Sequence, residues 1–148
     1  MTKPLVVGLG SHFGDDQAGW LILDQLRELG YPDGNLHKAL HPADILDVIG
    51  HSQRLVICDA CQGAGHAGTI HCWPWPSEQV LKMQSRGTHD MGLNEVLGVA
   101  SGLGWRPSTV EIWAVEGEIW FPSTTAGIDV CAAAAAAAKS IWRKYSDA

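Results

Sequence analysis

The chain has no long apolar run, and this absence argues against a membrane-spanning or secreted protein. No stretch approaches the ~20 apolar residues needed to span a bilayer, so no membrane partner is expected. The first residues, MTKPLVVGLG, lack the charged and then long apolar layout of a signal peptide. These two features together predict a cytoplasmic protein.

Basic residues and cysteines are also scarce. The sequence has 10 Lys and Arg against 16 Asp and Glu, a formal net charge of −6 at pH 7. No local group of basic residues offers a surface for phosphates, so nucleic acid is not an expected partner. The cysteines, which are Cys58, Cys61, Cys72 and Cys131, are too few and too irregularly spaced for a disulfide scaffold. We expect reduced thiols.

What the chain does contain is enough apolar material for a core. Its 148 residues are 46% hydrophobic, which predicts one compact domain over residues 1–148. An acidic surface without an obvious apolar stripe favours a monomer.

Apolar runs and helical spacings alternate along the chain. PLVVGLG and RLVICDA are continuous apolar runs of the kind found in strands buried on both faces of a parallel sheet. The predicted strands are 4–10, 35–40, 54–60, 69–73 and 108–117, and the predicted helices are 16–30, 42–50, 88–104 and 124–145. The segment 74–87 is predicted to be loop with about one helical turn. Such alternation predicts an α/β protein, a three-layer sandwich around a mostly parallel sheet.

In sheets of this kind, functional sites form at the carboxyl ends of the strands. Asp16 follows the first strand, Asp59 ends the strand RLVICD, and His89 opens a helix that leads into another strand. We therefore expect these three side chains to converge at one edge. Two carboxylates and an imidazole suit a divalent cation and leave coordination positions open.

Each residue also has a simpler interpretation. Of Asp15 and Asp16, one could complement the dipole of the following helix and the other could be a solvated side chain. Asp59 could bond the backbone of its own loop, and His89 could cap its helix. His12 and Asp90 lie beside the candidate ligands in sequence and could be outer groups or solvated side chains.

Two other motifs suggest different chemistry. The loop GLGSHFG spaces Gly8, Gly10 and Gly14 somewhat like a dinucleotide-binding loop, but the acidic pair would place negative charge where a pyrophosphate binds. The C-x-x-C at Cys58 and Cys61 could form a redox pair, or a zinc cluster completed from the ligand residues His66, His71 and Cys72. The second C-x-x-C of a common zinc site is missing.

Three segments, VVGLGSHFGDDQAGW, LVICDACQGAG and GTHDMGLNEVLGVASGLGWRPSTVEIWAVEGE, together with the alanine-rich final helix, resemble the hydrogenase maturation endopeptidases. Those proteins process the large subunit of [NiFe] hydrogenases. The resemblance implies a three-layer α/β/α sandwich of the phosphorylase/hydrolase-like kind. Its five-stranded sheet would be mixed, with the strand at 69–73 antiparallel.

The resemblance also implies a function. It is that of an aspartyl-type endopeptidase, dependent on nickel supplied by its substrate, which removes the C-terminal extension of the immature large subunit. The metal-binding and catalytic residues would be Asp16, Asp59 and His89, and another divalent metal is expected to substitute in vitro. Without its client, a site with two hard carboxylates and no cysteine should hold metal only modestly.

One departure from the family pattern lies beside the proposed site. Ser11 and His12 follow the G-x-G, where family members usually carry Asn first. Two alternative functions remain open from sequence. One is a non-catalytic chaperone of the hydrogenase precursor, and the other is a nucleotide-binding module that uses the Gly8–Gly14 loop.

Overall fold

A five-stranded mixed sheet with helices on both faces forms the centre of the protein. The computed structural model describes residues 3–82, 92–122 and 124–146. The strands are β1 (Leu5–Leu9), β2 (Leu36–Ala39), β3 (Arg54–Cys61), β4 (Ile70–Pro74) and β5 (Thr109–Glu116). The helices are α1 (Ala18–Glu28), α2 (Ile45–Val48), α3 (Glu78–Lys82), α4 (Leu93–Gly102) and α5 (Ile128–Tyr145).

The strand order is β2-β1-β3-β5-β4, in which β4 is an edge strand antiparallel to β5 and the other neighbouring pairs are parallel. One face of the sheet packs against α1 and α5, and the other against α2 and α4. The expected three-layer sandwich with a mostly parallel sheet is therefore confirmed. Within the described ranges, no helix is long and apolar enough to cross a membrane.

Burial explains why the two central runs lack alternation. Every residue of β1 is buried, and β3 is buried from Leu55 to Cys61, because helices cover both faces of these strands. Their side chains divide between the two layers of the core. In β3, Val56 and Cys58 face the α1 and α5 layer, while Leu55 and Ile57 face the α2 and α4 layer.

Helix ends depart from the predicted bounds by a few residues. The predicted helix 16–30 begins with a 3-10 turn over Gly14–Gln17 before α1, and the predicted helix 124–145 begins at Ile128. Gly30 has φ +101°, and the Tyr31 N–H donates to the Leu26 carbonyl at 2.9 Å. Gly30 therefore closes the first helix as predicted. The start of the predicted helix 88–104 lies outside the described residues.

Close packing of α1 onto the sheet depends on Gly19. A Cβ atom built at this position would collide with the backbone carbonyl oxygens of Leu9 and Cys58. These oxygens belong to the two central strands, which cannot move without disturbing their ladder. The glycine thus lets α1 begin directly above the carboxyl ends of β1 and β3.

We expect Gly19→Ala to lower the free energy of unfolding by about 1 to 3 kcal/mol, the usual cost of overpacking a filled core. Gly98→Ala is the matched control, because it lies in α4 with open space around the position of a Cβ. That substitution should be neutral or stabilising by up to about 1 kcal/mol. Urea denaturation measures both, and equal stabilities of the two variants would contradict the packing argument.

Candidate active site

Two segments bring carboxylates to the carboxyl edge of the parallel strands. The 3-10 turn that carries Asp15 and Asp16 follows β1, and Asp59 lies two residues before the end of β3. β1 and β3 are neighbouring parallel strands, with Gly8 paired to Cys58. The two segments therefore end side by side, as the rule for such sheets requires.

The adjacent carboxylates of Asp15 and Asp16 differ in burial and in hydrogen bonding. Asp15 is fully buried, and its Oδ2 accepts hydrogen bonds from the N–H groups of Glu118 at 2.8 Å and Ile119 at 2.9 Å. Its Oδ1 accepts a third hydrogen bond, from the Gly127 N–H at 2.7 Å. Asp15 therefore joins the loop after β1 to the loop after β5 and to the start of α5. Its role is to position these segments.

Asp16 is partly exposed, unlike its neighbour. Its Oδ2 accepts a hydrogen bond from the Ser11 hydroxyl at 2.6 Å, and the Ser11 Oγ in turn accepts one from the Phe13 N–H at 3.3 Å. Ser11 stands where the resembling family usually has Asn. In this chain the residue after the G-x-G therefore orients the Asp16 carboxylate directly.

Asp59 is 7% exposed, and its Oδ1 accepts a hydrogen bond from the Ala60 N–H at 2.8 Å. Burial raises the pKa of the Asp59 carboxyl well above its ordinary value, and the nearby Asp16 carboxylate raises it further. The Ala60 N–H opposes the shift only in part. A buried carboxyl beside a second carboxylate disfavours its own ionisation, and a cation bound between the two would offset that cost.

His89, the third predicted ligand, lies outside the described residues, as does Asp90. Its role therefore stays a prediction. His12 is exposed, and its ring packs edge-on against Trp20 with centroids 5.1 Å apart. The Trp20 indole N–H donates to the Ala39 carbonyl at 3.0 Å, which anchors this ring pair to the end of β2.

Packing accounts for the glycines that resembled a dinucleotide loop. A Cβ at Gly10 would lie 2.9 Å from the Asp16 carbonyl oxygen and 2.9 Å from the Trp20 ring. Gly14 has φ +57°, which favours glycine, and it packs against the Ile119 carbonyl. The spacing of these glycines thus has a structural cause that needs no phosphate.

The C-x-x-C is divided between the two faces of the sheet. Cys58 is buried in the α1 and α5 layer, whereas Cys61, three residues along the same strand, points to the opposite face. The two thiols do not form a pair. Cys61 lies instead beside His71 and Glu116. Glu116 is not among the predicted site residues, and the sequence offers one signal for it, its place at the end of the predicted strand 108–117.

Comparisons with known proteins give structural matches alone. No protein-family model matches the sequence, and no curated protein matches it significantly. A [NiFe] hydrogenase maturation protease, HybD from Thermococcus kodakarensis, superposes with a TM-score of 0.81 at 20% identity, over 97% of this chain and 99% of that chain. The hydrogenase maturating endopeptidase HybD from E. coli gives a TM-score of 0.74 at 21% identity, over 97% and 93%.

The endopeptidase HycI from E. coli matches with a TM-score of 0.74 at 18% identity, over 96% of this chain and 92% of that chain. Identities this low establish the fold alone. The fold is nevertheless that of the family which the sequence motifs resemble, and it extends over nearly the whole chain.

Proposed function

We propose that this protein is an endopeptidase that removes the C-terminal extension of an immature [NiFe] hydrogenase large subunit. The observation that carries the proposal is the pair of carboxylates at the carboxyl edge, Asp16 and Asp59, of which Asp16 raises the pKa of the buried Asp59. Two further supports are the sequence motifs around these residues and the structural likeness to hydrogenase maturation proteases.

In this proposal Asp16, Asp59 and His89 bind the nickel that the precursor already carries. The charge of the metal offsets the repulsion between the two carboxylates, so the site is completed when the client docks. Three protein ligands leave positions for ligands from the client or for water. Nickel held there supplies Lewis-acid chemistry, either polarising the scissile carbonyl or activating the attacking water.

The neighbouring groups have supporting roles. Ser11 holds the Asp16 carboxylate through its 2.6 Å hydrogen bond, and the Ala60 N–H holds that of Asp59 at 2.8 Å. Asp15 fixes the loop after β1 by accepting hydrogen bonds from three backbone N–H groups at 2.7 to 2.9 Å. Ligands held in this way lose less freedom when the client's nickel arrives.

The test is the intact mass of a hydrogenase large-subunit precursor after incubation with the protein. The nickel-loaded precursor should lose one C-terminal peptide, and the nickel-free precursor should keep its full mass. Equal cleavage of both would contradict nickel dependence. Stable complex formation without any change in mass would instead support the chaperone function.

A further inference from the structure

Three ligand side chains outside the proposed active site meet at the ends of neighbouring strands. Cys61, His71 and Glu116 each offer one ligand atom, and these atoms all lie within 4.8 Å of one another. The register of the sheet produces the cluster. Cys61 of β3 pairs with Glu116 of β5, and His71 of β4 pairs with Ala114, two residues before Glu116 on the same face.

The Glu116 carboxylate is buried, and only one of its two oxygens has a hydrogen-bond partner among the described residues. Its side chain is 1% exposed, and its Oε1 accepts a hydrogen bond from the Ala64 N–H at 2.9 Å while lying 3.0 Å from His71 Nε2. Its second oxygen, Oε2, is buried and has no hydrogen-bond partner among the described residues. Leaving a carboxylate oxygen in this state is costly.

The imidazole of His71 is held in place by its neighbour. Its ring stacks on Trp73 with centroids 4.6 Å apart and an interplanar angle of 14°. The His71 side chain is only 17% exposed. The ring therefore keeps one orientation, with Nε2 directed at Glu116, and little rotational freedom is lost when that nitrogen binds a ligand.

We propose that Cys61, His71 and Glu116 bind a zinc ion. Thiolate, imidazole and carboxylate are the ligands that zinc takes in proteins, with bonds of about 2.0 to 2.3 Å. In tetrahedral geometry such bonds place ligand atoms roughly 3.3 to 3.8 Å apart. The cluster is within about 1 Å of that spacing, so small side-chain rotations complete it. A water molecule would take the fourth position, as in zinc sites with three protein ligands.

The proposed zinc ligands are distinct from the proposed nickel ligands, although Cys61 lies on the same strand as Asp59. Asp59 is two residues before Cys61 in β3. A zinc ion at the cluster would tie the ends of β3, β4 and β5 together beside Asp59, and it would stabilise the folded protein by mass action. Cys61, His71 and Glu116 would bind zinc whether or not the protein is a protease.

Cobalt(II) is the probe that separates the two metal centres. A cobalt ion bound by a thiolate shows a sulfur-to-metal charge-transfer band in the near ultraviolet, and the site formed by Asp16, Asp59 and His89 contains no cysteine. Titration of the reduced, metal-free protein with Co²⁺ should produce this band and saturate at one thiolate-bound cobalt per chain. Added Zn²⁺ should abolish the band, because zinc binds thiolate sites more tightly than cobalt.

Variants assign the band to this cluster. Cys61→Ser should remove it, while a Cys72→Ser/Cys131→Ser double variant should keep it, since these two cysteines are the exposed ones. Glu116→Gln should weaken cobalt binding at least about tenfold. Because glutamine keeps the shape of the side chain and an oxygen that can accept the hydrogen bond from the Ala64 N–H, this change should not lower the melting temperature of the metal-free protein. Asp16→Asn/Asp59→Asn should leave the band unchanged.

Three results would overturn the proposal. The first is a reduced wild-type protein that shows no charge-transfer band at saturating cobalt. The second is a band that persists in Cys61→Ser or disappears in Cys72→Ser/Cys131→Ser. The third is an unchanged cobalt affinity in Glu116→Gln. This variant decides the question if circular dichroism shows that Cys61→Ser fails to fold.

Discussion

Asp16→Asn and Asp59→Asn are each expected to reduce cleavage of the nickel-loaded precursor at least about a hundredfold, since losing even an outer-shell partner of a metal costs 10 to 100-fold. Asparagine keeps the shape of each side chain and an oxygen that can accept the hydrogen bond from Ser11 or from the Ala60 N–H. What each variant loses is the negative charge that binds nickel. Intact-mass time courses give the rates, and His89→Ala is the third variant of the series.

The same two substitutions should leave the metal-free protein at least as stable as the wild type at neutral pH. Burial and the Asp16 carboxylate both raise the pKa of Asp59, so the ionised pair opposes folding and removing one charge relieves it. Asp47→Asn, an exposed carboxylate on α2, is the control and should change neither rate nor stability. A wild-type cleavage rate in Asp16→Asn or Asp59→Asn would contradict the assigned role.

Asp15→Ala is expected to lower the free energy of unfolding by about 3 kcal/mol or more. The substitution removes three hydrogen bonds that partly buried backbone N–H groups donate to this carboxylate, and a hydrogen bond to a charged group contributes about 1.5 to 3 kcal/mol. The loss is a large part of the 5 to 15 kcal/mol that stabilises a typical domain. Chemical denaturation with urea measures it.

Asp15→Asn tests whether the charge or the shape matters at this position. An amide has a single acceptor oxygen, so at least one of the three N–H groups faces an NH₂ donor instead. We expect an intermediate loss of about 1 to 3 kcal/mol. Asp47→Ala should stay within about 0.5 kcal/mol of the wild type. An Asp15→Ala variant as stable as this control would show that the loops after β1 and β5 are held by other contacts.

Much of the fold could be predicted because its signals are local. Residues close together in the chain form these signals. They are the apolar runs of β1 and β3, the helical spacing of α1 and the glycine that ends this helix, Gly30. The strand at 69–73 was predicted from its own residues, whereas its antiparallel direction was implied by the family resemblance alone. Helix starts were displaced by several residues, because 3-10 turns precede α1 and α2 and carry the same residue preferences.

The sequence by itself determined that Asp16 and Asp59 share one edge of the sheet. Each follows or ends a buried apolar run, and parallel strands bring such ends together whatever the details of packing. The place of His89 at this edge stays a prediction, since this residue lies outside the described residues.

Only the tertiary structure separated Asp15 from Asp16, because the partners of Asp15 lie 103 to 112 residues further along the chain. It also decided the cluster of Cys61, His71 and Glu116, which depends on the pairing of β4 with β5. A slip of one residue in that register would turn His71 to the other face of the sheet. Local sequence predicts neither hydrogen bonds over such separations nor the register of strands. In this protein the long-range hydrogen bonds determine the role of Asp15, and the strand register brings the three ligands of the cluster together.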